Sequence, residues 1–385
     1  MPYNITHSGG DAPPMASKGG EKVVVAPKRF LKSGLIFLAV AAVILGTIAY
    51  LNYRLDPLTF SSSEQAKAAA ALESGRNIAI PHSNIDWRQL RREHIHRMTE
   101  TPDIIIFGGS RWQEATNAVA PDKRVYNAFV SNDHFEDMMA LSGLLYSANR
   151  MPRTLVLSVR FSTFEYLDRR DSWWWKSFGP EYRAMSERLG VKAHSWWGTL
   201  PIGKWLHLLS AEAAFNKLQQ AQSNATDWRS TDALSDPVMD IVGTDGALRF
   251  SQQHLRTYTP DFAERDALER AAIDRNKRLK INPALLEQLR VLLIFLKEQG
   301  VQVALVQTPF HPAYYDAIKG SSYFEDLTRI EKEIHRIAEE TGAVIGGSFD
   351  ARQAGCDRNE YRDFNHSRVE CLSRLIANLP EQVTR

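Results

Sequence analysis

Ser110, in the run DIIIFGGSRW, and the pair Asp363 and His366, in DFNHSR near the other end of the chain, are the residues whose types most directly suggest chemistry. Serine is a poor nucleophile at neutral pH until a positioned imidazole takes its proton, and the resulting imidazolium needs a fixed carboxylate beside it. A serine after two glycines at the end of a strongly apolar run, with Asp-x-x-His late in the chain, supplies a nucleophile, a base and an orienting acid. The chemistry expected of that set is acyl transfer.

The elements that must position these residues are legible as alternating apolar patterns. Runs of strand length fall at 103–107, 125–129, 154–159, 301–307 and 343–345, and helical periodicity falls at 135–148, 283–298, 323–341 and 367–379. Strands alternating with helices predict an α/β domain with a mostly parallel sheet covered on both faces. Ligands in such sheets bind beyond the carboxyl ends of the strands, which is where Ser110 falls.

A long interruption, 164–280, separates the third and fourth strands and is expected to form a cap beside the site. It carries seven of the nine tryptophans, among them Trp173, Trp174, Trp175, Trp196 and Trp197. Adjacent tryptophans cannot all face inward on one regular element, and amphipathic rings suit a sugar face or a membrane interface, so these are candidate acceptor-binding residues. The bland alternative is that they build the insertion's own small core. The GTDGALRF segment around Asp245 and Gly246 reads as a turn.

Residues 35–51, LIFLAVAAVILGTIAYL, carry no charge, and flanking apolar residues bring the stretch toward the roughly 20 needed to cross a bilayer. Lys18, Lys22, Lys28, Arg29 and Lys32 precede it, so the positive-inside rule predicts a single-pass anchor with a short cytoplasmic tail and the residues after about 54 exported. The rival readings are a cleaved signal peptide, against which the length of the run and the lack of a convincing A-x-A site argue, and a buried core helix, against which the lack of a polar face argues. The expected division is a disordered cytoplasmic tail at 1–30, the anchor at 31–53, a linker or helical lead-in at 54–99, and the α/β domain at 100–385.

With 385 residues, 44% hydrophobic and 24% charged, the exported part is long enough to bury a full core, and a net charge of +2 without a basic stripe gives no reason to invoke nucleic acid. The two cysteines, Cys356 and Cys371, bracket Asp363 and His366. In an oxidising compartment they can close a disulfide that holds acid and base in register, and the alternative is two unpaired buried thiols. Two cysteines and one nearby histidine do not make a recognised zinc spacing, and no metal or other cofactor is expected.

The blocks FGGSRW, YNAFVSND, LVLSVRFSTF and DFNH resemble, in order and approximate spacing, those of the SGNH/GDSL hydrolase superfamily. The chain is most similar to its membrane-anchored, exported branch, which includes the D-alanyl-transfer protein of teichoic acid synthesis and proteins that O-acetylate bacterial polysaccharides. The resemblance covers about 100–160 and 300–380 and implies a flavodoxin-like three-layer sandwich, with Ser110 as nucleophile, His366 as base and Asp363 orienting it. The backbone N–H of Ser110 is one implied oxyanion donor.

Two blocks depart from the family pattern. Where the second block supplies a glycine N–H, this chain has Ser131 and Asn132, and the backbone of Asn132 is the expected donor. Where the third block offers an asparagine side chain, Arg160 stands instead, to stabilise an oxyanion, bind an anionic acceptor or pair with a carboxylate. His311 and Tyr314, with Tyr315, follow the fourth strand and either line the acceptor groove or pack a proline-shaped loop. His134 reads as a helix N-terminal residue, and Arg111 as an anion ligand or a solvated arginine.

The function the resemblance implies is O-acyl transfer, most simply O-acetylation, to an exported polysaccharide, from a C-terminal domain in the periplasm anchored in a bacterial inner membrane, with a multispanning membrane-bound O-acyltransferase as partner supplying the acyl group. An exported esterase or deacetylase, and a catalytically silent scaffold of a polysaccharide secretion complex, are the alternatives.

Overall fold

The structure is a computed structural model, described here for residues 27–55, 62–81, 85–165, 175–193, 208–212, 214–215 and 228–380. The chain divides into two units, Met1–Thr47 and Ile48–Arg385. Helix α1 (Pro27–Leu55) contains a 23-residue stretch, Lys32–Arg54, long and apolar enough to cross a membrane. Many of its large apolar side chains, Phe37 and Val43 among them, are exposed rather than packed.

Beyond it come α2 (Ser62–Glu73), β1 (Asn77–Ile80), α3 (Trp87–Arg97), β2 (Ile104–Phe107), β3 (Val125–Asn127), α4 (Phe135–Ser147) and β4 (Thr154–Val159). The insertion holds α5 (Gly179–Arg188), β5 (Arg229–Thr231), β6 (Asp240–Val242), β7 (Leu248–Arg249), α6 (Gln252–Leu255) and α7 (Pro260–Asp274). The chain then returns through α8 (Pro283–Glu298), β8 (Gln302–Gln307), α9 (Pro312–Ile318), α10 (Ser322–Thr341), β9 (Val344–Gly347) and α11 (Val369–Ala377).

The main sheet has five strands in the order β3-β2-β4-β8-β9, and every pairing is parallel. Because successive side chains of a strand point to opposite faces, the continuous apolar runs feed two cores. Ile105, Phe107, Leu155 and Leu157 pack with Leu141 of α4, Leu289 of α8 and Ile334 of α10. Ile104, Ile106, Val156 and Val306 pack with Trp112 and with Leu372 and Leu375 of α11.

Helix limits follow local chemistry. Asn282 caps α8 by accepting the Ala284 N–H, with Pro283 at the first turn, where a missing N–H costs nothing. Ser321 caps α10, which ends on Gly342 in the left-handed region.

The lead-in is not purely helical. Its β1 pairs with β5 and β6 of the insertion, giving a second, antiparallel sheet in the order β5-β1-β6-β7. That sheet is fastened to the main one at β3. Asn127 N–H donates to Asp245 O (2.7 Å), and Arg91 donates to both Phe129 O (3.1 Å) and Gly246 O (2.7 Å). Gly246 has φ +77°, and a Cβ there would meet Asn127 O at 2.3 Å, so this turn needs glycine for both reasons. The GTDG turn is therefore also a docking point.

Candidate active site

Ser110 stands at the carboxyl end of β2, where the backbone leaves the sheet as a single 3-10 turn, Ser110–Trp112. The two glycines before it are forced by crowding: a Cβ on Gly108 would lie 2.9 Å from Ser158 Cβ, and one on Gly109 2.1 Å from Asp133 Oδ1. Trp112 fixes the turn from behind, its Nε1 donating to Thr308 Oγ1 at 2.7 Å. The serine is thereby held against the ends of β4 and β8.

Asp363 and His366 lie on a short hairpin closed by Arg362 N–H to His366 O (2.9 Å) and by Arg368 N–H to Glu360 O (2.7 Å). Asp363 Oδ1 accepts the N–H groups of Asn365 (2.9 Å) and His366 (2.8 Å), an Asx turn that the D-x-N-H run builds locally. Two contacts hold the hairpin to its neighbours: Phe364 N–H donates to Asp266 Oδ2 (3.0 Å), and His311 N–H donates to Phe364 O (2.9 Å). Cys356 and Cys371 are bonded to each other across its base, with Cα atoms 5.1 Å apart.

The two segments meet. Ser110 Oγ is 2.7 Å from His366 Nε2, and His366 Nδ1 is 2.6 Å from Asp363 Oδ2. Burial by itself would raise the Asp363 carboxyl, but the hydrogen bond and charge of His366, with the two backbone donors, outweigh it and hold the carboxyl at about 2. An ionised carboxylate only accepts, so the proton of a neutral imidazole sits on Nδ1 and Nε2 is left to accept from the serine hydroxyl. This line of groups can move a proton off Ser110 and return it.

Ser131 and Asn132 lie on the same rim, lining a cavity of about 400 Å³ with Asp363 and His366, a size typical of small-ligand sites. Asn132 has φ +50°, in the left-handed region that favours glycine and that asparagine tolerates best among the others. That is the physical reason an asparagine can stand here. Arg88 secures this turn by donating to Ser131 O and Asn132 O at 3.3 Å each, and is itself held by a buried two-point ion pair with Asp137 at 2.7 Å.

Arg160 reaches Asp133, 2.6 Å away, and also donates to the Asp133 carbonyl. Of its three expected roles, pairing with a carboxylate is the contact observed, and Arg160 is not among the residues lining the cavity. Asp133 is buried, and desolvation raises its carboxyl although Arg160 opposes the shift. Arg111 is neither solvated nor at the cavity: it is buried over the Phe310 ring at 4.6 Å, and burial together with the nearby Arg160 lowers its guanidinium to about 10.

His311 and Tyr314 belong to the packed loop rather than the groove. Both are buried; His311 caps α9 by accepting the Ala313 N–H at 3.2 Å, and Tyr314 donates to Asp274 Oδ2 at 3.1 Å while packing on Phe310 and Phe364. His134 caps α4, its N–H donating to Asp137 Oδ2 at 2.8 Å. Trp173, Trp174, Trp196 and Trp197 and the Trp175 side chain lie outside the described residues. Trp228, which is described, packs against the core and donates to Glu64 at 3.1 Å.

The insertion does border the cavity, through residues the sequence reading did not single out: Asp240, Phe250, His254 and Tyr258. Trp87 of α3 and Arg362 complete much of the remaining wall. The four-residue spacing of Phe250, His254 and Tyr258 was visible in the sequence, but that spacing equally describes one packed helical face. Comparison with known proteins finds no family model, no curated protein and no solved structure that matches this chain.

Proposed function

We propose that this chain is a membrane-anchored, exported serine O-acyltransferase that passes an acyl group, most simply acetyl, to a hydroxyl of a cell-surface polysaccharide. The observation that carries the reading is the Ser110–His366–Asp363 line, at 2.7 and 2.6 Å, opening on a cavity. In the first half-reaction Ser110 Oγ attacks the acyl carbonyl of the donor while His366 Nε2 takes its proton, and the donor's leaving group departs with that proton. In the second, an acceptor hydroxyl gives its proton to Nε2 and attacks the acyl carbon, and Ser110 Oγ leaves and is reprotonated.

Each step places charge on the carbonyl oxygen, which preorganised donors must meet. Support for the Asn132 N–H in that role comes from the planar trans peptide: Ser131 O is turned to Arg88, so the N–H of the same peptide points the opposite way. The Ser110 N–H is the second donor in this reading. Ordering the five parallel strands by sequence gives 2-1-3-4-5, the flavodoxin-like order, whose binding crevice lies at the carboxyl ends of the strands and which supports the three-layer fold inferred from the motif blocks. The basic residues before the apolar stretch of α1 support export of the domain. An acyl group drawn from the cytoplasm must then be handed across the membrane, the task assigned here to a membrane-bound O-acyltransferase partner.

The test is to trap and chase the acyl-enzyme. Wild-type protein incubated with a small activated acetyl ester should carry acetyl on the Ser110 peptide by mass spectrometry, Ser110→Ala should not, and an added oligosaccharide should discharge it faster than water does. Discharge to water alone under every acceptor offered would make it an esterase, and no acylation of Ser110 would leave the scaffold.

A further inference from the structure

The cavity beside His366 is walled by part of a row of rings at four-residue spacing, Phe250, His254, Tyr258 and Phe262, whose successive centroids lie 4.2, 5.3 and 5.7 Å apart. The first three line the cavity, and Phe262 extends the row past it to the start of α7. All four keep some exposed surface, His254 11% of its side chain, whereas rings that build the core close by, Phe310 and Tyr314, have no exposure. Proton transfer at Ser110 gives no use for such a row.

Polar groups run along the same wall. Asp240 Oδ2 is 3.4 Å from His254 Nδ1, and His254 Nε2 is 3.3 Å from the Tyr258 hydroxyl. With the carboxylate on the Nδ1 side, Nε2 is the acceptor in a neutral ring and faces the Tyr258 hydroxyl, so polar atoms lie between the rings. Partly exposed ring surface beside polar atoms suits a sugar, whose C–H face is apolar and whose rim is polar.

The charge of the wall narrows the class. The cavity is lined by the carboxylates Asp240 and Asp363, and by one guanidinium among its described residues, Arg362. Arg362 lies buried against the Phe250 ring at 4.1 Å and is paired with Glu114 at 2.6 Å, so its charge is already met. A carboxylated sugar entering here would meet like charge without a dedicated cation among the described residues.

The geometry points to the Phe250–His254–Tyr258–Phe262 row as the acceptor subsite, taking an extended, uncharged glycan chain whose reacting sugar sits at His366 and whose next units lie along Tyr258 and Phe262. This rests on the transferase reading of the same site.

The test reads binding on full-length Ser110→Ala protein in detergent micelles, so that no turnover occurs. Calorimetric titration should show a β-1,4-linked glucose hexamer binding at least ten-fold tighter than the dimer, and at least ten-fold tighter than an α-1,4-linked galacturonate hexamer. Phe262→Ala should reduce the neutral hexamer to dimer-like affinity, and Phe262→Leu, which keeps apolar volume without a ring, should do the same in protein with an unchanged circular dichroism spectrum. Equal affinity for dimer and hexamer, preference for the galacturonate, or a chain-length gain that survives both Phe262 variants would overturn the assignment. Hexamer binding by Ser110→Ala, when wild-type protein is never acylated on Ser110, would sink the transferase reading alone, while normal acylation of wild type with no hexamer binding would sink the acceptor row alone.

Discussion

Asp133 occupies the space that a side chain on Gly109 would need, with Oδ1 only 2.1 Å from where a Cβ would fall. The carboxylate is buried and its partner Arg160 sits 2.6 Å away, so it has little freedom to retreat. Gly109→Ala must therefore displace either the Asp133–Arg160 pair or the turn carrying Ser110. Overpacking of this kind costs about 1–3 kcal/mol, and a shift of ~1 Å at the nucleophile costs about 100-fold in rate. Denaturant titration and the acylation burst of the variant check both; full activity at wild-type stability would show that Asp133 yields easily.

Asp363 links stability to acid. Its carboxyl is held at about 2 in the folded protein, against an ordinary value of 3.8. A depressed folded value means the stabilisation is fully present above the ordinary value and is lost as pH falls from there toward about 2, a contribution of about 2 kcal/mol. The stability advantage of wild type over Asp363→Asn should therefore shrink across that window. At neutral pH the same variant presents the wrong imidazole tautomer to Ser110 and should lose activity by about 10⁴-fold. A variant within ten-fold of wild type would remove Asp363 from the triad.

Arg88 and Asp137 form a buried pair at 2.7 Å that also grips the Ser131 and Asn132 carbonyls. Removing one partner strands a buried charge, so Arg88→Met should cost about 3–5 kcal/mol, and adding Asp137→Leu should restore part of it, less the lost cap on the His134 N–H. Acylation should stay impaired in the stabilised double variant, because nothing then fixes the Asn132 peptide. Recovery of both properties together would reduce Arg88 to a packing role.

The Cys356–Cys371 bond closes the base of the hairpin that carries His366. Replacing both cysteines by serine should lower stability by about 2–5 kcal/mol and broaden the distribution of Ser110–His366 geometries, read as a smaller acylation burst. Thiol labelling of exported protein without reductant should modify neither residue; two freely alkylated cysteines would refute the bridge.

The lysines and arginines before the apolar stretch of α1 predict a topology that can be tested directly. A reporter active only outside the cytoplasm should work when fused after residue 60 and stay silent when fused before residue 30, both fusions carrying the intact native N-terminus up to the junction. The opposite pattern would place the Ser110 site in the cytoplasm.

Much of the frame is written locally. The five apolar runs are the five strands of the parallel sheet, and α8 and α10 begin at residues whose side chains cap them, Asn282 and Ser321. Periodicity and capping depend on neighbours a few residues apart, so one chain displays them without a partner. The local chemistry of the Asp363 turn was equally legible, since Asp363 accepts N–H groups only two and three residues away. The membrane-length helix is a property of a single contiguous stretch.

What tertiary structure decided depends on pairings between distant segments. Strand β1 has four residues and finds its partners, β5 and β6, across the insertion, so neither its existence nor its sheet was visible in the lead-in. Arg160 admitted three roles until the fold brought it to Asp133. His311 and Tyr314 follow a strand whose carboxyl end borders the site, yet the loop turns them into the core, while Phe250, His254 and Tyr258 of the insertion arrive at the cavity instead. Which side of a loop faces a site is settled by what packs behind it, and sequence spacing carries no term for that.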